Sequence, residues 1–296
     1  MNQNLFGHAK DTDAIEMIKE FEPLALQSDP RGYCVCTSEG KDSTVLGHLY
    51  RRAEVKHFYA RSITGIDPPE LVYHAREQMQ KRRDDGFSYH EMMYEQSMWA
   101  LMMENLMPPM RWARYCCVSL KEKRHEETAG CLMSFGVRKA ESAKRSKNRN
   151  ELEIVPKGKR VRNIIMPFDN DENRQTFENC YVDCEKRLNP ITYWDDTDLW
   201  DYIHENRLDN CCLYKEGFNR LGCIGCPNAS AFEKQVQFRR WPKFEAQYIR
   251  TFEKMHSERI RRGLPVYQAN GREWFEWWIC EATQVTVDEN QMELEQ

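Results

Sequence analysis

Apolar positions along this chain fall into short continuous runs and into stretches with helical spacing. The runs predict buried strands at residues 33–37, 55–60, 133–137 and 161–168. The helical spacing predicts amphipathic helices at residues 11–21, 42–50, 68–81 and 189–203. Strands and helices that alternate in this way indicate an α/β domain.

The first strand leads into its helix through a tight loop at residues 38–41. We expect Gly40 to allow a backbone geometry that other residues resist, and Asp42 or Ser43 to cap the helix. Such a turn aims unpaired N–H groups and the positive end of a helix at one point, where an anion can bind. Lys41 adds a full charge, and the serines that flank the turn add directional donors. The sequence therefore predicts a phosphate site here.

The second strand is followed by Thr64 and Gly65, and then by a helix start with Asp67, Pro68 and Glu70 in a pattern similar to a capping box. Open α/β sheets bind ligands at the carboxyl ends of their strands. These residues are therefore candidates for nucleotide contact, and a plain helix start is the alternative interpretation.

Length and composition change this picture only in part. The 296 residues suit one large α/β domain with appendages, or two small domains. Because no run of about 18 apolar residues and no apolar N-terminal signal is present, we expect a soluble, cytoplasmic protein with no membrane partner. The net charge of −4 does not indicate a nucleic-acid binder, but residues 138–162 contain ten Lys and Arg against three Glu. This basic segment is either a solvated face or a guide for a polyanionic substrate.

The twelve cysteines indicate metal or redox chemistry rather than a disulfide scaffold, since the chain is long and expected in the cytosol. The candidate ligands are the adjacent pair Cys116 and Cys117 and the spaced pair Cys223 and Cys226. Adjacent side chains diverge, which is awkward for one zinc ion but suits a cluster whose irons each take one thiolate. A 4Fe–4S cluster, zinc and unliganded buried thiols are the three alternatives, and the resemblance described below ranks them in that order.

Five ordered segments between residues 32 and 227 resemble the adenine-nucleotide α-hydrolase superfamily, which includes ATP pyrophosphatases and phosphoadenosine-phosphosulfate (PAPS) reductases. Residues 38–43 are similar to its Ser-Gly-Gly-Lys-Asp-Ser pyrophosphate loop, and residues 136–142 to its Gly-Leu-Arg-x-x-Glu-Ser segment. The cysteine pattern resembles the 4Fe–4S ligand set of assimilatory APS reductases and of the DNA-phosphorothioation (DndC-like) ATP pyrophosphatases. The last of these is the most similar in pattern.

The resemblance implies a doubly wound, mainly parallel sheet in residues 1–235, with the iron–sulfur site, and a helical extension packed on it in residues 236–296. It implies ATP with Mg²⁺ as ligand and Lys41, Asp42 and Arg138 as catalytic residues. The implied nucleotide-binding residues are Ser38, Glu39, Gly40, Lys41, Asp42, Ser43, Thr64, Gly65, Gly136 and Arg138. The implied cluster ligands are Cys116, Cys117, Cys223 and Cys226.

Glu39 departs from the family pattern, because it stands where the first glycine of the loop is usual. A carboxylate beside a phosphate is unfavourable unless it points outward or helps to hold a metal.

A PAPS or APS reductase also needs a mobile cysteine in a Glu-Cys-Gly-Leu/Ile-His setting. Cys280 is followed by Glu-Ala-Thr and lacks both the Gly and the His. It also follows Trp277-Trp278-Ile279, so we expect it to be packed, with burial raising its thiol pKa.

The resulting hypothesis is an ATP pyrophosphatase that adenylates an acceptor for sulfur transfer. The favoured acceptor is the DNA backbone, held by the basic segment 138–162, and the sulfur would come from a donor protein such as a cysteine desulfurase. The alternatives are a PAPS/APS reductase and a tRNA-thiolating enzyme. A non-catalytic subunit that senses nucleotide or redox state is the alternative from a different class.

Overall fold

The computed structural model describes residues 9–122, 125–141, 150–155, 162–163 and 185–280. The chain divides into two compact units. We call the first the sheet unit, and it comprises Met1–Arg61, Glu70–Met92 and Arg124–Leu221. We call the second the cysteine unit, and it comprises Ser62–Pro69, Met93–Lys123 and Gly222–Gln296.

Seven strands among the described residues form one sheet, in the order β3-β2-β1-β4-β7-β5-β6. They are β1 Tyr33–Cys36, β2 His57–Ile63, β3 Tyr89–Met93, β4 Met133–Ser134, β5 Leu152–Val155, β6 Arg162–Asn163 and β7 Glu185–Leu188. Strand β1 is parallel to both β2 and β4, and β4 is parallel to β7. Strand β5 is antiparallel to β6 and β7. This confirms the predicted α/β fold with a mainly parallel sheet.

The helices alternate with the first strands and then form the C-terminal part of the described chain. They are α1 Lys10–Glu20, α2 Glu22–Ser28, α3 Lys41–Ala53, α4 Pro69–Asp84, α5 Met98–Asn105, α6 Tyr115–Cys117, α7 Asp196–Glu205, α8 Ala231–Arg240, α9 Pro242–Arg261 and α10 Gly271–Cys280. The predicted helical C-terminal extension is thus present as α8, α9 and α10. No helix among the described residues has the length and apolar character to cross a bilayer.

The core of the sheet unit lies between β1 and the apolar faces of α3 and α7. Val45, Leu46 and Leu49 are fully buried on α3, as their helical spacing predicts. Leu199 and Tyr202 are likewise buried on α7. This packing anchors the two helices whose first turns carry the candidate site.

Aromatic side chains form the core of the cysteine unit. Phe252 of α9 contacts Trp274 and Trp278 of α10, with ring centroids 5.6 Å apart in both pairs. Trp278 is fully buried, and its indole N–H donates to the Pro109 carbonyl oxygen at 2.9 Å. Buried aromatic rings of this size each contribute on the order of 1.5–3 kcal/mol through burial.

Three local predictions were wrong, and one of them is the helix at 189–203, which begins only at Asp196. Helix α3 begins at Lys41 after Gly40, and no side chain caps it. The Ser43 hydroxyl instead donates to the Gly40 carbonyl oxygen at 3.0 Å, because Ser43 already lies in the first turn. The third predicted strand, 133–137, ends at Ser134.

Two further predictions, a strand and a domain boundary, are not fully tested by the described residues. Of the predicted strand 161–168, residues 162–163 are described as β6 and the rest lies outside the described residues. The predicted boundary between domains 1–235 and 236–296 stays a prediction.

Candidate functional site

The predicted phosphate loop connects β1 to α3 in the sheet unit, but its strained residue is Glu39 rather than Gly40. Glu39 has a φ of 55°, in the left-handed region, whereas Gly40 has an ordinary extended φ of −86°. The predicted use of Gly40 was therefore wrong. Its small size is what the site requires, since a Cβ at Gly40 would lie 3.3 Å from the Tyr214 hydroxyl and 3.5 Å from the Ser38 hydroxyl.

The Glu39 carboxylate points into the interior of the sheet unit, and only 1% of the residue is exposed. Arg82 donates to it through two nitrogens, from Nη1 to Oε1 at 2.5 Å and from Nη2 to Oε2 at 2.9 Å. The hydroxyls of Thr37 and Tyr89 also donate to Oε1, both at 2.9 Å. The carboxylate therefore points away from the surface of the loop, and its partners are the Arg82 guanidinium and two hydroxyls.

Burial and the charges of neighbouring groups set the ionisation of Arg82 and Tyr89. Burial opposes the charge of Arg82, but the Glu39 carboxylate raises the pKa of Arg82 above its usual value. Burial and the Glu39 charge both raise the pKa of Tyr89, so its hydroxyl keeps its proton and donates. A left-handed backbone at a residue other than glycine costs about 1–3 kcal/mol and persists only when its surroundings hold it. The four hydrogen bonds to Glu39 do so here.

Lys41, Asp42 and Arg138 come together in the structure, and their catalytic role stays a prediction. Arg138 is 2% exposed, and its Nε donates to Asp42 Oδ1 at 2.5 Å. Lys41 Nζ and Arg138 Nη2 both donate to Asp196 Oδ1, at 3.0 Å and 2.9 Å. The backbone N–H of Lys41 donates to the Tyr214 hydroxyl at 2.8 Å.

Sequence analysis missed Asp196 and Tyr214 as members of this site. Both belong to segments that carry the family resemblance, residues 189–203 and 213–227, but no local signal marks either side chain. Only the start of α7 and the turn that follows Cys211 bring them to the loop.

The charges of this group compensate one another. Burial raises the pKa of Asp42, and the Arg138 guanidinium opposes that shift. The hydrogen bond from Lys41 lowers the pKa of Asp196, and the one from Arg138 adds to this effect. Two cations and two carboxylates therefore stand together with no formal net charge.

The remaining loop residues complete the turn. The backbone N–H of Ser38 donates to the Ser43 hydroxyl at 3.3 Å, and the two hydroxyl oxygens are 3.5 Å apart. A Cβ at Gly136 would lie 3.0 Å from the backbone of Asp42. Glycine at 136 therefore allows the segment after β4 to approach the loop closely, and this segment carries Arg138.

Thr64 and Gly65 fall in the cysteine unit. The Thr64 hydroxyl oxygen accepts from the Ile66 N–H at 3.3 Å and from the Cys223 thiol at 3.7 Å. Gly65 has a φ of 74°, which glycine adopts readily. Their contact with a nucleotide stays a prediction.

The cysteine unit contains all four candidate metal ligands. Cys116 and Cys117 lie in α6, and Cys223 and Cys226 bound a tight turn. This turn is held by the bond from the Ile224 N–H to the Ile66 carbonyl oxygen, at 2.8 Å.

Two further bonds and one glycine fix the same turn. The Tyr248 hydroxyl donates to the Ile224 carbonyl oxygen, and the Gly225 N–H donates to Gln237 Oε1, both at 2.9 Å. Gly225 has a φ of 71°, and a Cβ there would lie 2.9–3.1 Å from three aromatic rings. Only glycine fits this position, so the direction of the two thiols is set by backbone packing.

The thiols influence one another's ionisation. A hydrogen bond with Cys117, burial and the charges of the other three cysteines raise the pKa of Cys116. The bond from Cys116 lowers the pKa of Cys117 to about 6, and Lys121 adds to this effect. Burial raises the pKa of Cys223, which Lys121 opposes, and the Cys223 thiolate in turn raises the pKa of Lys121. The four sulfurs and one lysine thus share an electrostatic environment.

A mononuclear zinc site and a 4Fe–4S cluster require different arrangements of the four sulfurs. A zinc ion needs its sulfur ligands about 2.3 Å from one point. Among the described residues, no group of three or more His, Cys, Asp or Glu side chains is placed to hold a single metal ion. A 4Fe–4S cluster does not need the sulfurs to meet, since each thiolate binds a different iron, and the four cysteines fit that donor set.

Cys280 differs from its prediction. It is the last residue of α10 and is exposed, and its sulfur accepts from Gln235 Nε2 at 3.7 Å. The expected burial was wrong, because the apolar residues before it face inward while the helix period turns Cys280 to the surface.

The basic segment is mostly outside the described residues, which within it are 138–141, 150–155 and 162. Arg138 itself is buried and bound to two carboxylates. It is therefore not part of an exposed surface for nucleic acid.

Comparison with known families matches residues 32–229 to the phosphoadenosine phosphosulfate reductase domain. Adenosine 5'-phosphosulfate reductase from Neisseria meningitidis serogroup A is 33% identical over 55 residues, which are 19% of this chain and 22% of that protein. The matched part is thus about a fifth of this curated relative.

Two solved structures are similar in fold. PAPS reductase from Candida auris, in its phosphate complex, has a TM-score of 0.46 and 14% identity over 75% of this chain and 97% of that chain. The U34-tRNA thiolase NcsA from Methanococcus maripaludis, solved with its 4Fe–4S cluster, has a TM-score of 0.45 and 12% identity, covering 88% and 83%. Likeness at this level says nothing about individual residues.

A substitution at Glu39 tests the buried ion pair beneath the loop. We expect Glu39→Gln to lower the free energy of unfolding by about 3 kcal/mol, because it leaves the Arg82 charge buried without its counter-charge. Chemical denaturation monitored by circular dichroism measures this change.

Glu54→Gln is the matched control. Glu54 also has a left-handed φ, of 56°, but its side chain is exposed at the end of α3. This variant should change the free energy of unfolding by less than about 0.5 kcal/mol. Equal effects of the two variants would contradict the role assigned to the ion pair.

Proposed function

Because the chain belongs to the phosphoadenosine phosphosulfate reductase domain family, a family of nucleotide-binding enzymes, we propose that its loop binds the pyrophosphate of ATP. The protein is then an ATP pyrophosphatase that adenylates an acceptor for sulfur transfer. One observation carries the proposal. Lys41 and Arg138 direct two cationic donors at a single anionic oxygen beside the loop. Charge-assisted bonds of this kind suit phosphate oxygens, and Arg in particular matches their geometry.

In the proposed reaction, an acceptor oxygen attacks the α-phosphorus of ATP. The new oxygen–phosphorus bond forms as the bond to pyrophosphate breaks, and pyrophosphate leaves with that electron pair. Lys41 and Arg138 stabilise the negative charge that builds on the phosphate oxygens. The half-buried Asp42 holds Arg138 in place, so the protein's part is mainly positioning and electrostatic stabilisation. Mg²⁺ bound with ATP would neutralise part of the phosphate charge.

A sulfur nucleophile then displaces AMP from the activated acceptor. We propose the DNA backbone as acceptor and a cysteine desulfurase-type protein as sulfur donor. This choice rests on the resemblance to DNA-phosphorothioation enzymes, which covers both the ATP loop and the cysteine pattern. Phosphate contacts from the basic segment 138–162, apart from Arg138, would make DNA affinity salt-dependent and largely independent of sequence. Thiolation of tRNA is the nearest variant, with the same activation step on a different acceptor.

We further propose that Cys116, Cys117, Cys223 and Cys226 hold a 4Fe–4S cluster. Support comes from their location in one compact unit and from the rigid turn around Gly225. When bound, the cluster would supply a redox-active centre in the cysteine unit.

Lys41→Ala tests the ATP site. We expect the wild-type protein to release pyrophosphate from ATP when a suitable acceptor is present, and the variant to lose this activity. Loss of a charge-assisted contact should weaken ATP binding by about 1.5–3 kcal/mol, measurable by calorimetry. Lys19→Ala, which removes an exposed lysine of α1, is the control and should leave both measurements unchanged. Unchanged ATP affinity in Lys41→Ala would refute the loop assignment, and ATP binding without pyrophosphate release would favour a sensor subunit.

Iron content tests the cluster. Protein purified without oxygen should be brown and contain about four irons per chain, as a four-thiolate cluster requires. Cys223→Ser should lose the iron, whereas Cys212→Ser, at an exposed cysteine of the sheet unit, should keep it. Stoichiometric zinc without iron would overturn the assignment.

Sulfonucleotide reduction is the second candidate, favoured by the exposure of Cys280. An attacking thiolate must reach the substrate sulfur, and burial no longer argues against this thiol. The residues after Cys280 still lack the Gly and His of the reductases. We therefore expect no sulfite from PAPS or APS with thioredoxin as reductant. Sulfite that forms in the wild type and disappears in Cys280→Ser would establish the reductase instead.

A further inference from the structure

Four donors at the phosphate loop are bound by other groups of the protein. The Lys41 N–H, at the positive start of α3, is bound by the Tyr214 hydroxyl. The ammonium group of Lys41 and the guanidinium of Arg138 are bound by Asp196. The Ser38 N–H is bound by the Ser43 hydroxyl. These are the donors that a phosphate group on the loop would use, so such a ligand must replace internal partners.

Asp196 is placed differently from the other members of this group. Its side chain is 67% exposed, whereas the side chains of Lys41 and Arg138 are 10% and 2% exposed. A single oxygen, Oδ1, accepts from both cations. The carboxylate therefore lies on the solvent side of two buried cations, where an incoming anion would arrive.

The Asp196 side chain can also move away from the two cations without unfolding α7. It is the first residue of α7, but the helix start is secured by its neighbours Asp195 and Asp198. Asp195 Oδ1 accepts from the Asp198 N–H, and Asp198 Oδ2 accepts from the Asp195 N–H, both at 2.9 Å. This capping box does not involve the Asp196 side chain. A rotation of that side chain into water therefore frees both cations while α7 stays in place.

We propose that Asp196 is an internal counter-anion that occupies the phosphate position of the ligand-free protein and is displaced when a pyrophosphate group binds. This proposal rests on the proposed function of the loop. Asp42 would stay on Arg138, since its side chain is only 26% exposed. Displacement of Asp196 changes the compensated group of four charges into one with a net charge of +1, which a polyphosphate then neutralises.

Two consequences follow for ligand selection. The apparent affinity of the loop for its ligand equals the intrinsic affinity multiplied by the fraction of molecules in which Asp196 has left the cations. A singly charged anion interacts with the two cations no more favourably than the Asp196 carboxylate that it would replace. A polyphosphate offers several oxygens and more charge, so Asp196 makes the loop selective for pyrophosphate-bearing ligands.

Asp196→Asn tests the proposal directly, with inorganic pyrophosphate and Mg·ATP as the two probes in calorimetry. The variant removes the competing charge, and because exposed ion pairs are weak we expect both probes to bind roughly three- to tenfold more tightly. The salt dependence of binding should become steeper, since two cations then face the ligand with one carboxylate instead of two. Selectivity for pyrophosphate over singly charged nitrate should fall.

Asp201→Asn is the matched control, because it makes the same charge change on α7, at a half-buried residue. It should leave both affinities unchanged. Lys41→Ala in the Asp196→Asn background should cancel most of the gain, since the gain acts through that cation. Circular dichroism and melting temperature confirm that each variant is folded.

The outcomes separate this proposal from the proposed function. Tighter pyrophosphate binding without any ATP binding would support the counter-anion and refute the ATP pyrophosphatase. Weaker binding in Asp196→Asn would show that Asp196 positions the cations, and unchanged binding would show that it does not occupy the phosphate position. Either result overturns the proposal, as does the absence of pyrophosphate binding in both wild type and variant.

Discussion

The buried pair between Glu39 and Arg82 is the interaction on which the candidate phosphate loop depends. Glu39 sits in a left-handed backbone conformation between β1 and α3, and its carboxylate is tied down by four hydrogen bonds. Arg82 belongs to α4, so a residue about forty positions away in sequence sets the shape of the turn. Glycine at this position would adopt the same φ without help, but it would leave Arg82 buried without a counter-charge. Glu39, which departs from the family pattern, and Arg82, which compensates its charge, therefore depend on each other.

Above this pair, the loop presents a balanced set of charges rather than an open cationic site. Lys41 and Arg138 are held by Asp42 and Asp196, and Tyr214 occupies the N–H at the start of α3. Buried cations without partners would be costly, so an anion-binding site that is to be stable without its ligand needs internal anions. The same groups then determine how strongly a ligand must bind in order to enter. Stability of the free protein and selectivity for the ligand are linked through one exposed carboxylate.

In the cysteine unit, backbone packing sets the direction of the candidate ligand thiols Cys223 and Cys226. A turn with a left-handed glycine at 225, enclosed by three aromatic rings, orients Cys223 and Cys226 through backbone packing. Cys116 and Cys117 come from a one-turn helix elsewhere in the sequence. Each pair is local in sequence, and the hydrogen bond between Cys116 and Cys117 is the largest cause of the shifted pKa values of those two thiols. The charges of Cys223 and Cys226, which also raise the pKa of Cys116, act because the fold of the unit brings the pairs together.

The sequence by itself determined the elements in which local pattern and burial agree. The strand at 33–36 and the helices α3 and α4 follow from apolar spacing. Motif order selected Lys41 and Arg138 as members of one site, and both bind Asp196 in the structure. Strands β3, β5 and β7 were not predicted. Strand β7 reads Glu-Lys-Arg-Leu, a polar pattern, yet Leu188 is fully buried and the strand pairs with both β4 and β5.

Only the tertiary structure decided that pairing, because an interior strand is defined by its neighbours as much as by its own letters. It also decided that Glu39 points inward, that Asp196 bridges two cations and that Cys280 is exposed. Each of these depends on a partner distant in sequence or on the angular position of a residue at the end of a helix. Local spacing and motif order select the candidate site residues, whereas their charge balance is a property of the assembled fold.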